Sequence, residues 1–420
     1  MPVHWIVNVV SKLRRWGLVG AFHFICGAYS RYRRNRYFFR NAKLSVAGGC
    51  FQRGITVVGA FSSKGSLNKV LRDFVFSLQE AGIPVQTLDT GDGTLRGSVD
   101  LPSLTAEEDF RIKKYDHLVE MFSSPVPDGI VPHRARIAFW EFESGILEGF
   151  PELSGRHGDI IGMSDFNVAY FKRVFEPCRH VYKILYPFRF EHQILKSVVE
   201  CRKRFGYGNS DFIVFYNFSF SSDWNRKNAT GVMRAFAKAL GGVRCAKLVF
   251  KGSFSKGFER RIAELRQLAQ SLGIDNQFNL HTEYLTQAEI YEMTNMCDIY
   301  LSLHRGEGFG LGIAEAMALG KCVVATNFSA TTEFCREGNS IPVSYGKCGV
   351  VPGDLELEWY RWVKLWVDPD VDDAAGKLKI LFDDEVLRNR LGSAAQEFME
   401  KYFSIENFKR SVNAYLDSEA

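Results

Sequence analysis

The sequence predicts an α/β protein made of two doubly wound units that face each other across a cleft. Three observations carry that expectation. Strand and helix signals alternate from Ile55 onward, a second series of comparable size begins at Asp211, and a glycine-rich turn joins an apolar strand to a helix around Gly306. Such alternation marks parallel sheets covered by helices, and ligands of these sheets sit beyond the carboxyl ends of the strands. The 420 residues are enough for two to three domains. Hydrophobic residues at 46% and charged residues at 24% exclude a disordered or fibrous chain, and a core of this size needs no disulfide framework.

The first unit opens with residues 55–61 (ITVVGAF), a short β-branched run, followed by a polar loop over 62–68 that contains Gly65. Val70, Leu71, Phe74 and Leu78 then recur at helical spacing. Further strands are expected at 83–89, 115–122, 136–143, 159–164 and 181–187. A basic helical connection over 191–205 leads to the second unit, whose opening strand, 211–220 (DFIVFYNFSF), is apolar enough to be covered on both faces. Its later strands are expected at 246–252, 278–284, 299–305 and 321–328, separated by helices at 229–240, 258–272, 287–295 and 311–319. No internal repeat or low-complexity stretch interrupts the series.

The formal net charge of +5 conceals an asymmetry. Residues 1–72 hold 13 Lys and Arg and no acidic residue; the remaining 348 hold 40 basic and 48 acidic residues, a net of −8. Ile6, Val9, Val10 and Leu13 fall at helical spacing beside Lys12, Arg14 and Arg15, and residues 29–43 interleave basic and aromatic side chains. That pattern suits a helix lying in an anionic membrane interface, each basic residue contributing about 1 kcal/mol before screening. A solvated tail, a helix packed on the body, a nucleic-acid-binding segment and a secretory signal are the competing readings. The apolar stretch 16–28 is too short to span a bilayer. Nine scattered cysteines without ligand spacing read as thiols in a reducing compartment.

Residues 304–326 (HRGEGFGLGIAEAMALGKCVVAT) carry the chemistry. A glycine-rich turn that opens a helix points backbone N–H groups and the positive helix end at one place, which suits a phosphate or diphosphate. Gly308 and Gly310 allow a close approach of backbone to ligand. Glu307 and Glu315 flank this anion site. A carboxylate is a poor partner for phosphate but a good acceptor for sugar hydroxyls, so the arrangement fits a diphosphate with hydroxylated rings on either side. A solvated turn with two surface glutamates is the bland alternative.

Glu307 and Glu315, separated by seven residues and followed by AMALGKCVVAT, resemble the signature of retaining group 1 glycosyltransferases with the GT-B fold. RKN at 226–228, ATNFSATTEF at 325–334 and WVDPDVDDAA at 366–375 are similar to the branch that builds bacterial surface polysaccharides. The likeness runs from Ile55 to the end. It implies a GT-B fold of two doubly wound Rossmann-like domains: an acceptor domain at 51–190, a nucleotide-sugar domain at 191–400, and a C-terminal helix at 401–420 that returns to the first domain, with residues 1–50 as a separate basic segment. It further implies that Glu315 holds the nucleotide ribose and that Glu307 lies beside the donor sugar. The amides of Gly308, Phe309, Gly310 and Leu311 then face sugar and diphosphate, while Lys227 with Arg226 stabilises the departing diphosphate. On this reading no metal or other cofactor is required.

Two departures from the family pattern stand out. Ser219-Phe220-Ser221-Ser222 replaces a stretch in which many relatives carry an Arg. At the end of a strand of the first unit, where many relatives carry a His, stands Phe139-Trp140-Glu141, making Glu141 a candidate for contacting donor sugar or acceptor; a plain strand-end carboxylate is the alternative. Gly65 is expected to bring its loop to the diphosphate from the opposite side, or to be an ordinary turn glycine. His304 is expected to be structural. The implied activity is transfer of a hexose, with retention, from a nucleotide sugar to a hydroxyl of a growing, lipid-linked surface glycan. The expected location is the cytoplasmic face of the cell membrane, with no nucleic-acid partner. Nucleotide-sugar epimerisation and a catalytically silent nucleotide-sugar or glycan-binding subunit are the competing functions.

Overall fold

The computed structural model describes residues 52–59, 61, 66–89, 115–121, 133–139, 158–175, 179–189, 196–253, 256–349 and 365–418. The basic segment expected at 1–50 lies outside them. The N-terminal unit consists of β1 (Gln52–Gly59), α1 (Ser66–Glu80), β2 (Val85–Asp89), β3 (Tyr115–Met121), β4 (His133–Ala138), β5 (Asp159–Gly162), α2 (Asp165–Phe175) and β6 (Val181–Lys183). Its six strands pair in parallel in the order β2-β1-β3-β4-β5-β6.

The C-terminal unit begins with α3 (Val198–Phe205), β7 (Phe212–Ser219), α4 (Trp224–Lys227), α5 (Ala229–Leu240), β8 (Ala246–Ser253) and α6 (Glu259–Ser271). It continues through β9 (Phe278–His281), α7 (Gln287–Asn295), β10 (Ile299–Ser302), α8 (Leu311–Ala318), β11 (Cys322–Thr326), a 3-10 turn (Ser329–Glu333) and β12 (Ile341–Val343). The chain closes with β13 (Tyr345–Gly349), β14 (Leu365–Pro369), α9 (Val371–Asp383), α10 (Glu385–Tyr402) and α11 (Ile405–Ser418). The parallel order is β12-β11-β10-β7-β8-β9, with β13 and β14 forming a separate antiparallel ribbon. β7 therefore has β8 on one side and β10 on the other. The order reverses between β7 and β10, and a crevice opens between the loops that follow β7 and β10.

Local chemistry explains the element ends. Ser197 and Glu200 form a capping box that starts α3, and left-handed Gly206 closes it. Thr286 and Glu289 form the capping box of α7. The helices at 229–240 and 287–295 match expectation residue for residue. The strand expected over 181–187 is shorter, because the Leu185 N–H turns away to the Ser411 hydroxyl of α11 (3.0 Å) and Pro187 has no N–H to give. The strand expected over 299–305 stops at Ser302; the Arg305 N–H leaves the ladder for the Arg226 carbonyl (2.8 Å). The strand expected over 136–143 starts earlier, at His133, and 140–143 lie outside the described residues. The β13–β14 ribbon was not foreseen.

Two seams join the units. α11 lies on the N-terminal unit, with Phe408 edge-on to Phe74 (5.8 Å) and Tyr415 against Tyr182 and His117 (5.1 and 5.2 Å). At the centre, Tyr186 and Phe309 stack almost parallel with ring centroids 3.5 Å apart, and Phe309 also meets Phe334 and Phe403. Both rings of the stack are buried, and the Tyr186 hydroxyl finds no hydrogen-bond partner among the described residues. Tyr186→Phe should therefore be neutral or stabilising by about 1 kcal/mol, since it removes a buried polar group left unmatched. Tyr186→Ala should cost roughly 3–5 kcal/mol through the lost ring. Urea denaturation of the three proteins checks the pair; a Tyr186→Phe protein as unstable as the Ala variant would contradict the stack as the source of stability.

Candidate functional site

The crevice is organised by two loops. The first follows β7, where the Asp223 carboxylate caps α4 by accepting the Arg226 N–H (2.8 Å). Asn228 then adopts a left-handed conformation (φ 50°) and caps α5, its side-chain amide donating to the Leu303 carbonyl (2.8 Å). The Tyr216 hydroxyl donates to the Lys227 carbonyl (2.8 Å). The second loop follows β10 and ends at Gly310, which caps α8 at φ +94°. A side chain there would be strained, and an added Cβ would come within 2.6 Å of Thr331 Cγ2. α8 lies directly on the sheet because Gly312 presents no side chain; a Cβ at Gly312 would sit 2.5 Å from the Tyr300 hydroxyl, itself bonded to Asn217 Oδ1 (2.5 Å).

These loops bring Glu307, Lys227 and Arg226 together. The Glu307 carboxylate is buried, with Lys227 Nζ at 2.5 Å and Arg226 Nη1 at 3.2 Å. Arg226 Nη1 also donates to the Gly306 carbonyl (2.8 Å), so the guanidinium ties the two loops. Burial pushes the Glu307 carboxyl upward, but the charges of Lys227 and then Arg226 outweigh it and hold it at about 2. The group is an anion throughout the physiological range. Lys227 and Arg226 thus stand at the foot of α8, whose first amides have no acceptor within the helix.

Glu315, two turns into the same segment, meets different surroundings. Its buried carboxylate accepts from Gln287 Nε2 (3.1 Å) on α7, and Tyr291 adds a second hydrogen bond. Burial raises its pKa to about 7, with Lys69 opposing and Asp73 reinforcing the shift. Lys69 and Asp73 are paired on α1 (2.5 Å), so charges of the N-terminal unit act on Glu315. Sequence reasoning missed this pair; the i,i+4 spacing of Lys69 and Asp73 in the helix after the Gly65 loop was its visible trace.

The remaining expected residues divide. The Gly308 backbone abuts the end of the N-terminal sheet, where an added Cβ would come 3.0 Å from Phe139 Cβ. The Phe309 ring is taken up by the stack with Tyr186. Leu311 opens α8. Gly65 and Glu141 lie outside the described residues. At the Ser219-Phe220-Ser221-Ser222 departure, the Ser219 and Ser221 hydroxyls bond each other (2.7 Å) and Phe220 stacks on Trp224. His304 is fully buried, its Nε2 near the Phe328 carbonyl and the Thr331 hydroxyl (both 3.3 Å) and its Nδ1 near the Ser302 hydroxyl (3.2 Å). Burial lowers its pKa to about 4, so it stays neutral. Among the described residues no group of His, Cys, Asp and Glu is placed to hold a metal ion, and no helix is long and apolar enough to cross a membrane.

Residues 216–398, within the C-terminal unit, match the family described as glycosyl transferases group 1. The two sheets have the GT-B architecture of several solved proteins. Anabaena HepE, solved in complex with UDP and glucose, aligns over 87% of this chain and 100% of its own with a TM-score of 0.59 at 16% identity. Sucrose-phosphate synthase from Thermosynechococcus elongatus aligns over 87% and 99% with a TM-score of 0.61 at 15% identity. WaaG, a glycosyltransferase involved in lipopolysaccharide biosynthesis, aligns over 86% and 99% with a TM-score of 0.59 at 13% identity. No curated protein matches the chain in sequence.

The opposite shifts in the site set its response to pH. Glu315, raised to about 7, contributes stability that is lost as pH rises from 4.5 to 7; His304, lowered to about 4, contributes stability that is lost as pH falls from 6.5 to 4. The two slopes oppose each other between pH 4.5 and 6.5. Glu307 then adds a loss as pH falls from 4.5 toward 2. Glu315→Gln should raise stability at pH 8 by up to about 3 kcal/mol, a gain that closes by pH 4.5. Melting temperatures of both proteins across that range check it. A pH-independent gap would mean that Glu315 does not titrate there.

Proposed function

We propose that this chain is a retaining glycosyltransferase that moves a hexose from a nucleoside-diphosphate sugar to a hydroxyl of a growing, lipid-linked surface glycan. The observation that carries the reading is the Glu307, Lys227 and Arg226 cluster at the start of α8 with Glu315 on the next turns. In the reaction the acceptor oxygen bonds to the anomeric carbon as the bond from that carbon to the β-phosphate oxygen breaks. The departing diphosphate takes the acceptor proton, which balances the step. Charge grows on the leaving group, and a cationic pair beside helix amides in a water-poor crevice stabilises charge at that point. Glu315 is suited to accept the ribose hydroxyls, and Glu307 to fix Lys227 and face the sugar. A retaining hydrolase would instead hold two carboxylates about 5 Å apart astride the sugar with one free to attack, whereas Glu307 is neutralised by two cations. No metal ion enters this scheme.

UDP-sugars head the panel of donors, because HepE was solved with UDP and glucose. Wild-type protein should release nucleotide from one of them only when acceptor is present, and should keep doing so in excess EDTA. Glu307→Ala, Lys227→Ala and Glu315→Ala should each lower turnover by roughly 10²–10³-fold or more. Near-normal turnover of the Glu307 or Lys227 variant would remove the assignment; turnover without acceptor would favour epimerisation, and donor binding without turnover a silent subunit, for which the serines at 219, 221 and 222 are the argument.

The acid-free segment at 1–50 is proposed to hold the crevice against an anionic membrane on the cytoplasmic side. Its nine basic residues and interleaved aromatics support that role. Deleting it should release the protein from anionic vesicles at low salt and leave donor binding within about twofold, as measured by co-sedimentation and calorimetry. Retention of vesicle binding by the truncated protein would count against the anchor.

A further inference from the structure

The 3-10 turn Ser329–Glu333 touches the crevice loop with one side and the N-terminal unit with the other. On the loop side, the Ser329 hydroxyl accepts the Glu307 N–H (2.9 Å) and the Ala330 N–H reaches the Glu307 carbonyl (3.3 Å). Thr331 meets His304 through its hydroxyl (3.3 Å) and closes against Gly310. Ser329 holds this position with φ +69°, one of only two non-glycine residues with positive φ among the described residues.

On the other side stands Glu333, which is buried. One carboxylate oxygen accepts the N–H of Asp165 (2.6 Å) and so caps the start of α2 from the opposite unit. The other accepts Lys183 Nζ (2.9 Å) from the end of β6 and the Tyr402 hydroxyl (2.7 Å) from the end of α10. Lys183 is shared with the Asp165 carboxylate (2.7 Å), and Phe166 packs edge-on against Phe328, the residue before the turn. A single turn of helix cannot shift one end and leave the other in place. A movement of α2 and β6 that carries Glu333 with it therefore carries Ser329 and the Glu307 backbone as well.

We infer that this turn couples docking of the N-terminal unit to the geometry of the Glu307 loop, with Glu333 as its positioning residue. The inference rests on the glycosyltransferase reading for its kinetic consequence and on the geometry alone for its structural one. The full chain serves for the test, as wild type, Glu333→Gln and Tyr402→Phe. Glu333→Gln is isosteric but removes the charge that Lys183 and the α2 terminus share; Tyr402→Phe removes one hydrogen bond and serves if the first variant does not fold.

In amide hydrogen exchange, Glu333→Gln should exchange roughly tenfold faster both at the start of α2 and in residues 305–312, with β8 unchanged. In turnover, its kcat should fall about tenfold with nucleoside-diphosphate affinity kept within about twofold. Tyr402→Phe should move the same peptides by a smaller factor. Faster exchange confined to α2, or spread evenly over the chain, would overturn the coupling, as would unchanged kcat in a folded Glu333→Gln protein. If the wild type transfers no sugar from any donor, the functional reading fails while the exchange pattern still decides the coupling.

Discussion

The structure around the crevice depends on the burial of one carboxylate. Glu307 is removed from water and yet ionised, a state that is costly unless opposite charge and hydrogen bonds surround the group. Lys227 and Arg226 supply the charge, but they reach it only because α4 is capped by Asp223, Asn228 turns the chain sharply afterwards, and Arg226 clasps the Gly306 carbonyl. Two loops that lie 80 residues apart in sequence are thus fixed to each other by a charged group that neither could bury alone.

The backbone records the same constraint. Among the described residues, positive φ outside glycine occurs only at Asn228 and Ser329, and both flank the Glu307 loop. Asn228 reaches the Leu303 carbonyl at the loop's start, and Ser329 accepts the Glu307 N–H in its middle. Gly310 supplies the third left-handed position, at its end. Strain of order 1–3 kcal/mol at a non-glycine site persists only where the surroundings over-determine it. Here the surroundings are the loop itself, held at start, middle and end.

Much of this was legible in the sequence where the cause is local. The helices α5 and α7 and the apolar strands β7 and β8 were placed from sequence, because those elements follow from residues a few positions apart. The glycine turn and its two glutamates were legible for the same reason. What stayed hidden depends on distant partners: β6 is cut short by Ser411, 226 residues beyond Leu185, and Glu333 looks like an ordinary helix-turn acid until Asp165 and Lys183 come to it. The basic pair at 226–227 was legible as a cation site but not as a pair already neutralising Glu307.

Glu307 and Glu315 are the same residue on one short segment, and the fold drives their proton affinities in opposite directions. Both are buried, so burial alone would raise both. The difference comes from what faces them. Two cations at bonding distance overcome burial for Glu307, whereas Glu315 has neutral donors from Gln287 and Tyr291 and a Lys69 charge partly cancelled by Asp73. One carboxylate is therefore a permanent charge fixed within its own unit, and the other holds its proton near neutrality and is set in part by side chains of the opposite unit. The N-terminal unit acts on Glu315 through the charges of α1 and on Glu307 through the backbone of the Ser329–Glu333 turn. Each carboxylate thus registers how the units are docked, one by its charge and the other by its position.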